Sequence, residues 1–266
     1  MKQLEKFFYM VRMVFLEKLA YTKALWFDIM ATLVYIVIYY FLWQIVFRSQ
    51  NQLAGFSMME MTTYIILSRT LAAQFSGGVN RQFAVWIYEG AIGTELQRPV
   101  GIFTNLLSRR VGEFLFYLLF KAAPVLLVSF LFLRGTGPAG AENVILFFVS
   151  VVLSVWMMFY IEMIVGMGSF YTLTHYALGY IKTALLDLLS GSVVPLALFP
   201  AAVGTVLQVL PFAGMVSVPI NIFLGKYSIR QTFFYLLLQC IWTAVMYLLA
   251  HGCYGKVIKK VVVQGG

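Results

Sequence analysis

Residues 79–110 read VNRQFAVWIYEGAIGTELQRPVGIFTNLLSRR, and they form the longest stretch of the chain that is too charged to lie in lipid. The stretch holds four arginines and two glutamates, while the sequence on either side is mostly apolar. Its apolar residues recur at helical spacing: Phe83, Ile87, Ile92 and Leu96. Two glycines interrupt this pattern and Pro99 ends it. We predict one or two short amphipathic helices at the cytoplasmic face of a membrane, where the chain can contact a soluble partner.

The composition supports a membrane protein. The chain is 62% hydrophobic and 11% charged, whereas soluble domains are about 25% charged. A net charge of +9 raises the question of a nucleic-acid partner. The basic residues, however, fall in short loops between apolar runs and do not share one polar face, which is the pattern of a positive-inside membrane protein. We therefore expect the lipid bilayer as a partner and no nucleic acid.

Residues 1–23 contain five scattered basic residues and no continuous apolar core, so they do not resemble a cleavable signal. Their apolar residues again follow helical spacing: Phe7, Phe8, Val11, Val14, Phe15 and Leu19. This pattern predicts an amphipathic helix that lies on the inner leaflet with its lysines near the lipid phosphates. The alternative is a simple cytoplasmic extension.

The rest of the chain predicts an all-α integral membrane fold that forms one transmembrane domain over residues 1–266. A bilayer crossing needs about 20 apolar residues. Six stretches approach this length: Phe27–Phe47, Met59–Gly77, Phe114–Leu133, Val144–Gly168, Tyr176–Phe199 and Thr232–Gly252. Residues 200–225 are too apolar for an open loop, yet three prolines divide them into pieces too short to span: Pro200, Pro211 and Pro219. Such pieces suit a re-entrant helical hairpin in the outer leaflet.

The distribution of basic residues predicts the orientation. With six spans and a cytoplasmic N-terminus, the inner segments carry 13 basic residues and the outer segments carry 4. This asymmetry places both termini in the cytoplasm, and we expect the chain in the inner (plasma) membrane.

Motifs for catalysis and for cofactors are missing from the sequence. It has no GxxxxGK[ST] phosphate loop, no HExxH, no CxxC and no GxSxG. The two histidines, His175 and His251, are far apart in sequence, and we do not expect a metal site. Thirteen helical residues separate Cys240 from Cys253, about 20 Å, which is too far for a disulfide.

We single out four charged residues inside the predicted spans as candidates: Arg69, Lys121, Glu162 and Asp187. A charge near the bilayer centre costs at least about 2.5 kcal/mol, so such groups usually pair or face a cavity. They line a substrate route in one interpretation. In the other, Lys121 extends toward the headgroups and the rest form static structural pairs. We expect at least one opposite-charge pair among the four.

The pattern resembles the membrane subunit of ABC exporters of the ABC-2 class, in particular the small permeases grouped with daunorubicin-type exporters. The resemblance covers nearly the whole chain and rests on three places. Residues 87–100, IYEGAIGTELQRPV, are similar to the intracellular segment of that subgroup, with a shifted register. Residues 189–219, from LSG through the prolines, are similar to its broken outer helix. The tail VQGG at 263–266 is similar to its short ending.

This resemblance implies a permease that exports a hydrophobic or amphipathic substrate, such as a drug, a lipid or a peptide. It implies separate ABC ATPase subunits, which carry the ATP and Mg, and a second permease, identical or a related sister, as the dimer partner. The segment after the second span contacts the ATPase, and the residues concerned here would be Tyr88, Glu89, Gly90, Ile92, Gly93, Thr94 and Leu96. The hairpin prolines would form an outer gate. A channel or a regulatory subunit without transport, and an intramembrane enzyme, stay open as alternatives.

Overall fold

The computed structural model describes residues 2–20, 22–75, 78–171, 177–257 and 259, which are almost entirely helical. Their α-helices, in chain order, are α1 Lys2–Leu19, α2 Thr22–Val46, α3 Met58–Ala72, α4 Val79–Tyr88, α5 Ile92–Gln97, α6 Ile102–Tyr117, α7 Ala123–Phe132, α8 Ala141–Gly168, α9 Ala177–Leu189, α10 Ala201–Val209, α11 Ser217–Phe223 and α12 Ile229–Val257. Four 3₁₀ turns join them, at Phe47–Ser49, Ala73–Phe75, Leu196–Leu198 and Ala213–Met215, together with a π turn at Leu118–Ala122.

The prediction of an all-α membrane protein is confirmed. Four stretches of the described chain are long and apolar enough to cross a bilayer: Lys23–Ser49, Ile102–Phe132, Ala141–Gly168 and Ile229–Val257. They correspond to the first, third, fourth and sixth predicted spans. Large parts of α2 and α12 are exposed apolar surface, which is the arrangement expected where lipid surrounds the protein.

The third predicted span starts too late. Its helix begins at Ile102, inside the stretch 79–110, and continues through the π turn to Phe132. The π turn lies directly before Pro124, whose missing N–H cannot donate to the carbonyl four residues earlier. A π turn is the usual way in which a helix accommodates such a local interruption.

The second and fifth predicted spans are shorter than expected. The α3 helix has 15 residues and α9 has 13, so neither reaches the length of the four long helices. The 3₁₀ turn at Ala73–Phe75 extends α3, and Gly191 and Pro195 follow the end of α9 with a turn. Gly77 and Tyr176, at which two of the predicted limits were placed, lie outside the described residues, as do His175 and the tail 263–266.

The short helix α3 lies in the interior of the molecule. Eleven of its 15 residues are buried, and it packs against α2, α7 and α11. The long helix α8 packs against α4, α11 and α12. Together α3 and α8 therefore form the centre about which the other helices are arranged.

The described chain has two distinct ends. At one end, the hairpin end, the turn around Gly55 meets the region 195–227, where Lys226 donates to the carbonyl of Gly55 at 2.8 Å. At the other end, the N-terminal end, α1 packs along α6, and α4 and α5 lie near the start of α6. The predicted helix within residues 1–23 is present as α1, and much of its length is in contact with α6.

Residues 200–225 form two short helices, α10 and α11, joined by a turn. Pro200 caps α10, Pro211 lies in the turn, and Pro219 occupies the first turn of α11, where its missing N–H costs no helical bond. The side chain of Gln239 on α12 donates to the carbonyl of Gly214 at 2.5 Å. Residues 200–225 thus hold two short helices separated by a turn, and this bond ties them to α12.

We expect the contact between α1 and α6 to depend on Gly112. A Cβ atom at Gly112 would lie 2.7 Å from the carbonyl oxygen of Val11 and 3.0 Å from Cβ of Val14. Gly112→Val forces the helices apart, and we predict a loss of about 1–3 kcal/mol in the free energy of unfolding. Thermal unfolding in detergent measures it.

Gly252→Val is the matched control, because Gly252 lies in the exposed part of α12 with nothing within 4 Å of an added Cβ. Its helix-propensity change is the same. Equal losses for the two variants would contradict the packing of α1 on α6.

Candidate functional site

The carboxylate of Glu162 is the most enclosed charged group in the described part of the chain, with 0% of the residue exposed. It lies on α8 and accepts a hydrogen bond from the backbone N–H of Val79 at 3.2 Å. Val79 is the first residue of α4, and the first N–H groups of a helix have no partner within the helix. Glu162 therefore caps α4 from another helix, and its negative charge also suits the positive end of the α4 dipole.

The residue before α4 must be small for this contact to form. Gly78 has a φ of 89°, a conformation that side-chain-bearing residues rarely adopt. A Cβ atom there would lie 2.8 Å from both carboxylate oxygens of Glu162. The glycine thus allows both the turn and the close approach of the carboxylate.

Two cations face the same carboxylate. The Lys182 Nζ lies 3.3 Å from Oε1, and an Arg110 guanidinium nitrogen lies 3.9 Å from Oε2. Lys182 also donates to Oδ1 of Asn80 at 3.1 Å, and Arg110 donates to Oε1 of Gln74 at 3.2 Å. We call these five residues the Glu162 cluster: Gln74, Asn80, Arg110, Glu162 and Lys182.

The Glu162 cluster joins five separate elements, namely the turn after α3 and the helices α4, α6, α8 and α9. Removing an ion from water costs several kcal/mol, and partners of opposite charge offset that cost only while they are all present. All five residues are buried. The cluster therefore holds the base of α4 in one position relative to α8 and α9.

The four charged residues predicted within spans are dispersed. Glu162 belongs to the cluster, and Lys121 pairs at 2.5 Å with Asp28, near the start of α2. The Arg69 guanidinium lies over the ring of Tyr35 at 4.4 Å, a cation–π contact. Asp187 accepts a hydrogen bond from Ser192 at 2.9 Å.

The expectation of an opposite-charge pair among these four is wrong for the described chain, because Lys121 and Glu162 form their ion pairs with residues outside the set and Arg69 contacts an aromatic ring. Sequence reasoning missed Lys182, which was counted among the inner basic residues, and Arg110, which ends the polar stretch 79–110. One signal was present: an isolated carboxylate in an apolar span requires a cation, and Lys182 lies within the next predicted span while Arg110 lies just before the preceding one.

The helices α4 and α5 form a small hairpin whose turn contains Glu89 and Gly90. Gly90 has a φ of 72° and nothing within 4 Å of an added Cβ, as expected at an exposed helix end. Tyr88 is 71% exposed, and Glu89 is also exposed. We call residues 88–96 of this hairpin the tip, because most of them are exposed.

The predicted contact residues divide into two groups. The exposed group consists of Tyr88, Glu89, Gly90, Thr94 and Leu96, and Gly93 is half-buried. Ile92, in contrast, is 5% exposed and packs among buried apolar residues of α4, α6 and α8. Close to Ile92, the buried carboxylate of Glu95 pairs with Arg98 at 3.0 Å and accepts from Asn105 at 3.2 Å. Ile92 and Glu95 thus fix the tip to the start of α6.

The hairpin prolines also differ in exposure. Pro200 is exposed, while Pro211 and Pro219 are buried. Two of the three prolines predicted to form an outer gate, Pro211 in the turn and Pro219 on α11, are therefore packed inside the protein.

The described chain thus combines long apolar helices with the short exposed hairpin α4–α5 at one end and a buried charged cluster at the base of that hairpin. A family model described as ABC-2 family transporter protein matches residues 12–265. The chain belongs to the ABC-2 transporter family. No curated protein matches it. The resemblance found in the sequence is thereby confirmed at the level of the ABC-2 family.

In this ABC-2 family permease, the described residues contain no group of three or more His, Cys, Asp or Glu side chains that could hold a metal ion. The ABC-2 permease family consists of membrane subunits that are normally not catalytic themselves and that typically work with ABC ATPase subunits.

Gly78 provides the first test of the Glu162 cluster. Gly78→Ala places a methyl group against both carboxylate oxygens and imposes a positive φ on alanine. We predict a loss of about 2 kcal/mol or more, which lowers the unfolding temperature by about 4 °C or more in detergent.

The matched control is Gly101→Ala at the corresponding position before α6. Gly101 has a φ of −58° and open space around an added Cβ. A weaker cap and a stiffer unfolded chain offset one another there, so we expect almost no change. Equal stability of the two variants would refute the proposed geometry at Gly78.

Proposed function

We propose that this ABC-2 family chain is the permease subunit of an ATP-driven exporter and that its stretch 79–110 is the docking segment for a separate ATPase. The observation that carries the proposal is the Glu162 cluster at the base of α4. The tip is exposed, while α4 is attached to α8 and α9 by two buried hydrogen bonds, one from the Val79 N–H to Glu162 and one from Lys182 to Asn80. A force applied at the tip would therefore move these helices with the segment.

The tip has the character of a docking helix. Amphipathic helices bind grooves through an apolar face, and their charged edges orient them against the rim of the groove. Tyr88 and Leu96 offer apolar surface, and Glu89 offers a charge between them in sequence. Ile92, which is buried, would support the tip and would not itself contact the ATPase.

The proposed topology has six crossings. The four long helices supply four of them. The α3 helix begins at the hairpin end, where Glu60 pairs with Lys226. The 3₁₀ turn that follows α3 contains Gln74 of the Glu162 cluster, so α3 passes from one end to the other. The α9 helix starts beside Asn80 and leads to Ser190, whose carbonyl accepts from Ser217 in the hairpin region.

This topology also fits the charge distribution. Lys182 and Arg110 are buried and leave the inner group of 13, yet 11 basic residues against 4 still favour a cytoplasmic N-terminal end. The proposed location is the inner membrane with both termini in the cytoplasm. The hairpin α10–α11 would then be re-entrant in the outer leaflet and would help to close the outer exit around Pro200, Pro211 and Pro219.

Transport would proceed by rigid-body movement of the helices of two permeases when the ATPase subunits close. The second permease is an identical copy or a related sister, as in the daunorubicin-type subgroup. The apolar helices favour a hydrophobic or amphipathic substrate, such as a drug, a lipid or a peptide. ATP and Mg would bind the ATPase alone.

Purification of the tagged chain from mild detergent, followed by mass spectrometry and an ATPase assay, tests the proposal. We expect a stoichiometric ABC ATPase and hydrolysis that a transported substrate stimulates. Stimulation distinguishes an exporter from a regulatory subunit. A chain that purifies alone, without ATPase activity, would contradict the assignment.

Glu89→Lys tests the tip itself. Reversing a charge at the rim of an interface places like charges together, so we predict at least a tenfold loss of the co-purified ATPase, on the order of 1.4 kcal/mol. The unfolding temperature of the permease stays unchanged, because Glu89 is exposed.

Glu142→Lys is the matched control, since Glu142 is an exposed carboxylate at the hairpin end, at the start of α8. It carries the same charge change far from the tip, and we expect normal recovery of the ATPase. Unchanged complex formation and transport with Glu89→Lys would rule out the proposed docking surface.

A further inference from the structure

A cavity of about 400 Å³ lies between the start of α2, the end of α1 and the helices α4 and α6. Its volume falls within the usual range of about 300–1,000 Å³ for small-molecule sites. It is separate from the tip and lies beside the Glu162 cluster. We call it the basic cavity, because its lining includes five basic side chains and only two acidic ones: Lys18, Arg81, Arg109, Arg110 and Lys121, with Asp28 and Glu113.

The ion pairs around the basic cavity leave part of its positive charge loosely compensated. Lys18 pairs closely with Glu113 at 3.0 Å, and Lys121 pairs closely with Asp28. Arg109, in contrast, lies 3.9 Å from Glu17, and Arg110 lies 3.9 Å from Glu162. A distance of 3.9 Å is too long for a hydrogen bond. These carboxylates therefore balance charge without using the donors of the two guanidinium groups.

Two buried donors on the lining have no acceptor in the described part of the chain. They are Nε of Arg110 and Nε2 of Gln74. Both residues are more than nine-tenths buried, and both line the cavity. A buried donor without an acceptor costs about 1–3 kcal/mol, more when it is charged, so such groups in a cavity wall indicate an oxygen-rich ligand.

The remaining wall of the cavity is apolar. Leu25, Val85, Phe114 and Phe116 contribute to it. A free inorganic anion would gain nothing from this surface, whereas the glycerol and first methylenes of a lipid would be buried against it. The neighbouring helix α1 is amphipathic, as expected for a helix at the inner leaflet. Basic pockets between helices on that side of a membrane bind anionic headgroups.

We propose that the basic cavity binds the phosphate-bearing headgroup of an anionic phospholipid from the inner leaflet. The phosphate oxygens accept from Arg109 and Arg110, and the lipid joins α1 and α2 to the base of α4. This inference goes beyond the exporter function and does not require the ATPase.

Native mass spectrometry of the full chain tests the proposal, with phosphatidylglycerol, phosphatidylcholine and inorganic phosphate as separate probes. We expect selective retention of phosphatidylglycerol, with little retention of phosphatidylcholine and no competition from millimolar phosphate. The variant Arg109→Gln is expected to weaken retention on the order of tenfold.

Arg12→Gln is the matched control, because Arg12 is an exposed arginine on α1 outside the cavity lining. It removes a charge at the same leaflet, and we expect normal retention. Unfolding temperatures in lipid-free detergent show whether each variant is folded. Equal retention of the two lipids, displacement by inorganic phosphate, or an equal loss with Arg12→Gln would overturn the proposal. Because no ATPase enters the measurement, its failure would leave the exporter proposal unaffected.

Discussion

The buried carboxylate of Glu162 is the group on which the N-terminal end of this structure depends. It accepts from the first N–H of α4, pairs with Lys182 and lies near Arg110. An unpaired charge on an apolar helix would cost several kcal/mol of free energy, and each partner, which lies on a different element, lowers that cost. The same contacts that make the carboxylate tolerable therefore connect α4, α6, α8 and α9 to one another.

These contacts attach the polar stretch 79–110 to the apolar helices. The helices α2 and α12 expose extensive apolar area, as expected of helices that contact lipid. The stretch 79–110 must nevertheless present polar groups to water and remain firmly attached. Its tip is exposed at Glu89 and Gly90, while its base ends at a buried ion pair, so the attachment does not rely on the weak contacts of the tip. In this ABC-2 family permease, buried contacts thus join the exposed hairpin α4–α5 to α8 and α9.

The sequence predicts much of the fold, because the interactions that decide it are local. The apolar runs in α2, α8 and α12 predict long helices, and the proline spacing predicts a broken hairpin at 200–225. Helical periodicity likewise predicts α1 and the pair α4 and α5. The limits of α3, α6 and α9 were less accurate, since they depend on a π turn and on interior packing that periodicity does not encode.

The candidate site was only partly predictable. The exposed residues of the tip follow from their polar character, and Glu162 follows from being a carboxylate within an apolar span. Its partners Lys182 and Arg110 are brought to it by tertiary structure from positions 20 and 52 residues away in sequence. Ile92 was predicted to contact a partner because it lies within the polar stretch, but tertiary packing buries it.

Hydrogen–deuterium exchange of wild type and Glu162→Gln in detergent is the most direct test of this account. In the wild type, Oε2 accepts from Val79 and Oε1 faces Lys182. In the variant, an NH₂ donor replaces one of these two oxygens, and the side chain has no charge to balance the two cations. We predict that exchange in α4, residues 79–88, becomes roughly a hundredfold faster while exchange in α12 is unchanged. Unchanged exchange in α4, or an equal increase in both helices, would contradict the central role of Glu162.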